Sequence, residues 1–468
     1  MSHKSGTFLR KNATKTGFIC AAIMILGLCT SASAVEYTLE DLYRIALERS
    51  ERIKISEEDL FISQKEKDRA MSALFPRLSG VGSATSNKNI VTSDTNVLIQ
   101  PAQSSYWSVR LDQSLSTAGR EITAFQVSRD SIDKSRQDLF SARETYILNV
   151  TGAYYDTLKA RKFVEISQQN VDRLQKYREA AQTRLTIGEV TKTALLRAEA
   201  ELSGAQSDLI RAVNLLKSAK TVLQRTVGIE EDFDIYDVYK SGFSELSSVR
   251  EESREPVVVD CASLSLDCLK DLASKERAEV KSLTIQKNIA TEQVRFARGA
   301  DWPTLSLEGA YIYNYQTPET PNLIRENFYG AVRLNFPFFE GGLRRAEIQE
   351  ALARERQAQY ALIDLKKTIA VDVENAYLDY ITQKGILKSL GDQYAFASDN
   401  YNAVSKQFDF GLAQSIDVMD ANTVLVTAQT QLIQALYNYQ QSITKLKRVT
   451  GTLLKSIAGE YAKQNTAQ

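Results

Sequence analysis

Histidine is almost missing from this chain: His3 is the only one in 468 residues. Around it, Lys4, Arg10, Lys11 and Lys15 precede an apolar run from Phe18 to Cys29 and then Ala32-Ser33-Ala34. That is the layout of an export signal cut after Ala34. The mature chain then starts at Val35 and has no imidazole, which excludes a Ser-His triad and histidine ligation of a metal. Long hydrophobic runs are also lacking. The leader's apolar run is about 12 residues, where a spanning helix needs roughly 20, and nothing downstream is longer. The bulky Leu28 just before Cys29 argues against a lipoprotein cleavage site. Neither charge sign dominates: removing four cations from 58 basic residues leaves 54 against 58 acidic ones, a net charge near −4. A nucleic-acid partner is thereby excluded, for want of a basic footprint. Of four cysteines, Cys20 and Cys29 leave with the leader. Cys261 and Cys268 remain, in a compartment that permits disulfides. They are either a bonded pair or two small apolar side chains, since spacing alone does not place their Cβ atoms.

Proline is scarce too. Its seven positions, Pro76, Pro101, Pro256, Pro303, Pro318, Pro321 and Pro337, leave 154 residues free of it before Pro256 and 131 after Pro337. Proline breaks helix interiors, so both stretches can hold very long helices. Leu195, Leu202, Leu209, Leu216 and Leu223 recur every seven residues, with Ala198, Ala205, Ala212 and Ala219 offset by three. Val418, Leu425, Leu432, Tyr439 and Leu446 repeat that seam, interleaved with Ala421, Ala428, Ala435 and Ser442. A seven-residue apolar repeat is the pattern of laced helices, and a row of small residues lets their axes approach. Before each seam, about 120–185 and about 343–408 read as single helices. Some 65 residues at about 1.5 Å each make a rod of about 100 Å. The segments at about 39–75 and 191–227 read as helices of half that length, stacked end to end. Tyr154 and Tyr377, at matched positions midway along the rods, read as packing residues.

An internal repeat organises these pieces. At an offset of 223, residues 109–228 read onto 332–451 without a gap. Val109-Arg110-Leu111 falls on Val332-Arg333-Leu334, Gly188 on Gly411, and Gly228 on Gly451. Pro76-Arg77-Leu78 meets Pro303-Thr304-Leu305 at an offset of 227, so the four-residue difference lies between Pro76 and Val109. The expected organisation is a signal peptide (1–34), a first repeat (35–228), an equatorial connector (229–268), a second repeat (269–453) and a tail (454–468). The connector and tail lack periodicity and are expected to wrap the middle of the rods.

Between half-helix and rod the sequence alternates. Leu305, Leu307, Gly309, Tyr311, Tyr313 and Tyr315 share one face of a strand, and Ser306, Glu308, Ala310 and Asn314 the other, with Ile312 the exception. Phe328, Val332, Leu334, Phe336 and Phe338 oppose Tyr329, Arg333 and Asn335 in its partner, and Trp107, Val109, Leu111 and Leu115 oppose Ser108, Arg110 and Asp112 in the first repeat. The weakest strand runs from Arg77 to about Thr92. Apolar-aromatic against polar over about 10 residues marks a transmembrane β-strand, lipid outside and water inside. Arg110, Asp112, Arg333 and Asn335 then face the lumen. Four strands cannot close a barrel when the smallest has about eight, and an open edge in lipid leaves backbone groups unpaired. Several chains must share one barrel; three give 12 strands.

The duplication, the Pro-x-Leu strand starts at Pro76 and Pro303, the exit Phe336-Pro337-Phe338-Phe339-Glu340-Gly341-Gly342, and Gly411 followed by Asp417-Val418-Met419-Asp420-Ala421 resemble the TolC-like family of outer-membrane efflux proteins. The resemblance runs from about Thr38 to Leu453. It implies a mostly α-helical protein with a membrane β-barrel: a homotrimer whose 12-helix periplasmic tunnel continues into a 12-stranded barrel in outer-membrane lipid. It further implies a passive exit duct for multidrug efflux or type I secretion, without cofactor or catalysis, that docks a periplasmic adaptor and an inner-membrane transporter. The tips bearing Arg184, Leu185, Gly188, Phe410 and Gly411 would meet the adaptor. Asp417 and Asp420, at i, i+3 on one helix face, correspond to the acidic rings of the closed tunnel. Helix capping is the alternative for Asp417, with Ser415 as the N-cap. Where family members latch the tip with a tyrosine and an arginine, this chain has Phe408 and Ala413, and Ala194 replaces an acid of the first tip. Closure is therefore expected to rest on apolar packing and the two aspartates. A trimeric coiled-coil surface protein anchored by a β-barrel is the competing reading.

Overall fold

The structure, a computed structural model, describes residues 36–93, 98–231, 233–237, 261 and 264–457. The signal segment, most of the connector and the tail beyond 457 lie outside the described residues. Two rods dominate. Helix α3 (Arg120–Thr186) and helix α7 (Leu343–Asp409) each run 67 residues unbroken, about 100 Å at 1.5 Å per residue. Each begins after a left-handed glycine, Gly119 or Gly342, and turns back through another, Gly188 or Gly411, at φ +81° and +74°. Only glycine takes that conformation without a Cβ penalty. The returning helices are α4 (Lys192–Val227) and α8 (Ser415–Val449).

The other half of each layer is not the single helix that the sequence predicts for 39–75. It is split into α1 (Leu39–Arg49) and α2 (Glu51–Ser72), because Ser50 adopts an extended backbone and caps α2 through Ile53 N–H at 3.4 Å. The second repeat breaks at the matching place. Arg277, at φ −60° and ψ 126°, separates α5 (Leu266–Glu276) from α6 (Ala278–Arg298). Neither break contains proline or glycine, so neither carried a sequence signal.

Helix order is α2–α3–α6–α7 on the sheet side and α4–α3–α8–α7 toward the tips, with α3 packed centrally in both. The core concentrates where the halves meet. Leu42, Ala46, Ile147, Val150, Tyr154, Leu158, Leu223 and Tyr437 are buried together, and Leu269, Ala273, Ile369, Val373, Tyr380, Tyr439 and Leu446 form the corresponding cluster. Tyr154 is 2 % exposed and Tyr377 packs at the edge of the second cluster. A short parallel ladder, β1 (Glu36–Tyr37) with β6 (Asp234–Ile235), ties the start of the chain to the connector. Cys261 and Cys268 are disulfide-bonded, with Cα atoms 6.1 Å apart.

The sheet lies at the far end of the rods. Strands β2 (Arg77–Ser86), β5 (Gln103–Ser116), β7 (Thr304–Thr317) and β8 (Glu326–Asn335) form one antiparallel sheet in that order. Short strands β3 (Val91–Thr92) and β4 (Leu98–Gln100) extend the first hairpin's loop. Strand β2 ends at Ser86, short of the expected Thr92, and β8 ends at Asn335, so Phe336 and Phe338 lie beyond it, where Pro337 cannot donate to a ladder. Register places Leu78, Trp107, Val109, Leu111, Tyr311, Tyr313, Phe328 and Val332 on one face. Exposure is 69 % for Leu78, 80 % for Phe328 and 71 % for Val332. The apolar face is thus uncovered in the single chain.

Candidate functional site: the hairpin tips and the polar face of the sheet

At the tips, the two hairpins of one chain are held by contacts that begin in the first. Arg184 donates to the carbonyls of Phe408 (3.0 Å) and Asp409 (3.4 Å), and its guanidinium lies 4.1 Å above the Phe408 ring. Those carbonyls end α7, where a cation also suits the helix dipole. Phe408 is 5 % exposed and packs with Tyr177, Ala181, Leu195, Val418 and Met419, with Leu185 and Ala413 at the margin. Tyr177 donates its hydroxyl to Ser415, and burial pushes that phenol above its ordinary range. Arg173 donates to Asn422 (2.8 Å), which in turn donates to Asn170 (2.8 Å). A guanidinium and a hydroxyl therefore do act at this tip, from Arg184 and Tyr177. The family's latch positions hold Phe408 and Ala413, as read from the sequence; sequence reasoning named Arg184 only as a tip residue and did not single out Tyr177. The turns project apolar side chains: Phe410 is 80 % exposed, Leu412 79 % and Ile187 65 %.

Asp417 and Asp420 both lie on the exposed side of α8. The N-cap is Gln414, not Ser415. Asp417 accepts the Gln414 backbone N–H at 2.9 Å and donates its own N–H to the Gln414 carbonyl at 3.1 Å, so its carboxylate caps the helix start. Asp420 is not part of the cap. Its nearest cation is Arg197 of α4, 3.9 Å away.

In the sheet, register puts Arg110, Asp112, Arg333 and Asn335 on one face together with Glu308. Arg333 lies 3.6 Å from Glu308, which also accepts the Tyr329 hydroxyl at 2.7 Å. Glu308 thus bridges strands on the polar face.

Sequence reasoning also missed a chain of charges at the equator. Glu144 of α3 has no exposed surface and lies 3.4 Å from Arg448 of α8. Arg448 donates to Glu279 (2.5 Å), Arg277 pairs with Glu279 and Asp372 (3.3 Å each), and Ser141 donates to Glu279 (2.9 Å). Burial drives the Glu144 carboxyl up to about 7 against the pull of Arg448. Burial also pushes Glu279 upward, but the hydrogen bond from Arg448 and the charges of Arg448 and Arg277 outweigh it and hold Glu279 at about 2. The available signal was a carboxylate at position 144 in the apolar register of Ile147, Tyr154 and Leu158.

The sequence profile of the family described as outer membrane efflux protein matches residues 42–229 and 269–452. The chain belongs to that family. TolC of Vibrio cholerae is 24 % identical over 446 residues, covering 93 % of this chain and 94 % of its own. The alkaline protease secretion protein AprF of Pseudomonas aeruginosa is 22 % identical, covering 92 % and 88 %. Among solved structures, the Campylobacter jejuni CmeC outer membrane channel superposes with a TM-score of 0.76 at 16 % identity, over 89 % of this chain and 86 % of that one. This efflux-family member is therefore an outer-membrane protein of the exit-duct type, and its fold is that of the channel structures.

Proposed function

We propose that this chain is one third of a trimeric outer-membrane channel-tunnel, the exit duct of a multidrug efflux or type I secretion system, which docks a periplasmic adaptor and through it an inner-membrane transporter. The observation that carries the reading is a pair of open edges. Among the described residues, the sheet order leaves β2 and β8 each without a neighbour on one side, and the helical layer likewise ends at α7 on one side and at α2 and α4 on the other. In lipid an unpaired strand edge is untenable. Three copies close it into 12 strands, a size found among spanning barrels. A ten-residue strand at about 3.3 Å per residue, tilted about 40°, covers about 25 Å, the height of a barrel's apolar band. Phe338 and Phe339, 88 % and 86 % exposed, sit with Phe75 and Trp302 where sheet meets rods, as an interfacial aromatic girdle does.

The helical edges match in the same way. Val371, Leu378, Ile381, Ile386 and Phe396 are exposed along α7, and Ile55, Ile62, Leu196, Ile210 and Val222 along α2 and α4. Joined edge to edge, three layers make a 12-helix tunnel with the tips pointing away from the membrane. The polar face with Arg110, Asp112, Arg333 and Asn335 then lines the barrel lumen. Asp417 and Asp420 line the tunnel's constriction near the tips. The apolar turns at Gly188 and Gly411, with Arg184, Leu185 and Phe410, form the adaptor-docking surface.

Native mass spectrometry in mild detergent and planar-bilayer recording test this together. The expected results are a three-chain assembly and discrete conductance steps, with cation block weakened in the Asp417→Ala/Asp420→Ala variant. A monomer soluble without detergent would overturn the reading.

A further inference from the structure

Helices α3 and α4 correspond to α7 and α8 at an offset of 223 residues. In the trimer proposed above, on which this inference rests, the two kinds of hairpin alternate around one axis, six in all. The rotation that carries the first hairpin onto the second also carries the second onto the first hairpin of the next chain. Each contact between the hairpins of one chain thus has a counterpart between chains, at residues exchanged by the offset. Most contacts map onto different chemistry. Arg173 with Asn422 becomes Phe396 with Glu199, and Tyr177 with Ser415 becomes Asn400 with Lys192. One contact maps onto itself. Position 197 moved forward by the offset is 420, and 420 moved back is 197. Arg197 Nη2 and Asp420 Oδ1 are 3.9 Å apart within the chain, so the same two residues meet again across each boundary.

We propose that Arg197 and Asp420 of three chains alternate in one closed ring of six charges near the tunnel tip, each carboxylate shared between the guanidinium of its own chain and that of the next. Both groups have a side free for the second partner: their side chains are 45 % and 70 % exposed in the single chain. The chemistry permits sharing, because a guanidinium presents five donors in a planar fork and a carboxylate accepts on both oxygens. An isolated exposed pair contributes little. Linked into a network on a narrow axis, the pairs are less solvated and interdependent, and opening the tip must break the inter-chain half of them together.

The ring also changes the electrostatics of the constriction. Three guanidiniums cancel three carboxylates at the level of Asp420. The counterpart of Asp417 is Ala194, so the only uncompensated acids of the pair are the three copies of Asp417. Cation affinity there belongs to Asp417, and mechanical closure to Arg197 with Asp420.

The test uses the full-length protein in mild detergent. Cys261 and Cys268 are paired with each other, so a double Arg197→Cys/Asp420→Cys variant can be treated with a short bis-maleimide. The expected result is a ladder of covalent dimers and trimers on denaturing gels that neither single variant gives. A variant that is trimeric by native mass spectrometry yet yields only monomer bands overturns the ring and leaves the trimer standing. A monomeric native mass overturns both. Charge exchange supplies a second readout in planar bilayers. Arg197→Asp places six carboxylates at one level and Asp420→Arg six guanidiniums, so each alone should raise conductance several-fold. Arg197→Asp/Asp420→Arg together restores the alternation and should return conductance to the wild-type level. Single variants that conduct normally, or a double variant as leaky as either single, overturn the proposal.

Discussion

The guanidinium of Arg184 stacks 4.1 Å above the ring of Phe408 and donates to the carbonyl of the same residue at 3.0 Å, joining the two hairpins of one chain at their tips. A cation over an aromatic face is worth about 1 kcal/mol at a partly exposed site, and a charged donor to a carbonyl adds about as much. Arg184→Ala should therefore loosen the second turn by about 2 kcal/mol. Hydrogen exchange at Phe410, Gly411 and Leu412, whose amides bond to carbonyls at the end of α7, should quicken about 30-fold. Arg184→Lys keeps the charge but loses the planar stack and the fork, and should fall between the two. Exchange unchanged in Arg184→Ala would mean that the apolar packing of Phe408 alone holds the turn.

That contact shows where the sequence was legible and where it stopped being so. The rods could be read to within a residue or two, Arg120–Thr186 and Leu343–Asp409, because proline is absent and each is followed by a helix marked by a continuous seven-residue seam. Strand alternation was equally plain, since apolar and polar side chains fall on opposite faces of one sheet. The breaks at Ser50 and Arg277 were invisible, as both residues are acceptable inside helices and neither is flanked by proline or glycine. Pairings between the hairpins were invisible for a related reason. Arg184 meets Phe408 across 224 positions, and no local pattern encodes which of many exposed arginines reaches a particular helix end. Asp417 carried two readings at once. Its hydrogen bond from the Gln414 N–H is local and visible in the single chain, whereas a lumen position requires neighbouring chains.

Glu144 should make stability depend on pH. An unfolded glutamate titrates near 4.5, and burial in the folded chain moves this one to about 7. Between those values the folded state holds the extra proton, so stability is highest below about 4.5 and falls as pH rises through 7, by about 3 kcal/mol in all. Glu279 acts oppositely: held at about 2, it stabilises above about 4.5, and that contribution is lost only as pH falls toward 2. Glu144→Gln keeps the shape and removes the titration. Its melting temperature should exceed that of the wild type at pH 8 and match it near pH 5. Equal melting at both values would remove Glu144 as the cause.

Two glycines with nearly the same backbone should respond differently to alanine. Gly411, at φ +74°, turns the tip in open space, and a Cβ there meets nothing within 4 Å. Gly451, at φ +73°, lies against the break at Arg277, where a Cβ would come within 2.9 Å of the Arg277 nitrogen and the Glu276 carbonyl carbon. Gly411→Ala should cost about 1 kcal/mol, the left-handed penalty alone. Gly451→Ala adds a clash with backbone that cannot move without parting α5 from α6, and should cost more than about 3 kcal/mol. Thermal melting of the two variants distinguishes them, and equal losses would show that the break yields freely.

The exposed ring of Phe396 has a specific expected partner in the proposed trimer. Within one chain, the Arg173 guanidinium lies 5.8 Å from the Tyr401 ring. The hairpin-to-hairpin rotation carries Arg173 to Phe396 and Tyr401 to Arg178 of the next chain, so the cation–π pair recurs with ring and guanidinium exchanged. Arg178 is already held by Glu199, 3.6 Å away, and Phe396 is 74 % exposed in the single chain. Phe396→Arg and Arg178→Tyr, made singly, place like groups together: two cations in one case, two rings in the other. Made together they copy the Arg173–Tyr401 pair between chains. Each single variant should lower the temperature at which the trimer dissociates in detergent, by about 2–4 °C for an interaction of this strength. The double variant should recover most of that loss. Since a purely local effect on α3 or α7 would add rather than cancel, a double variant less stable than either single would show that Phe396 and Arg178 do not meet.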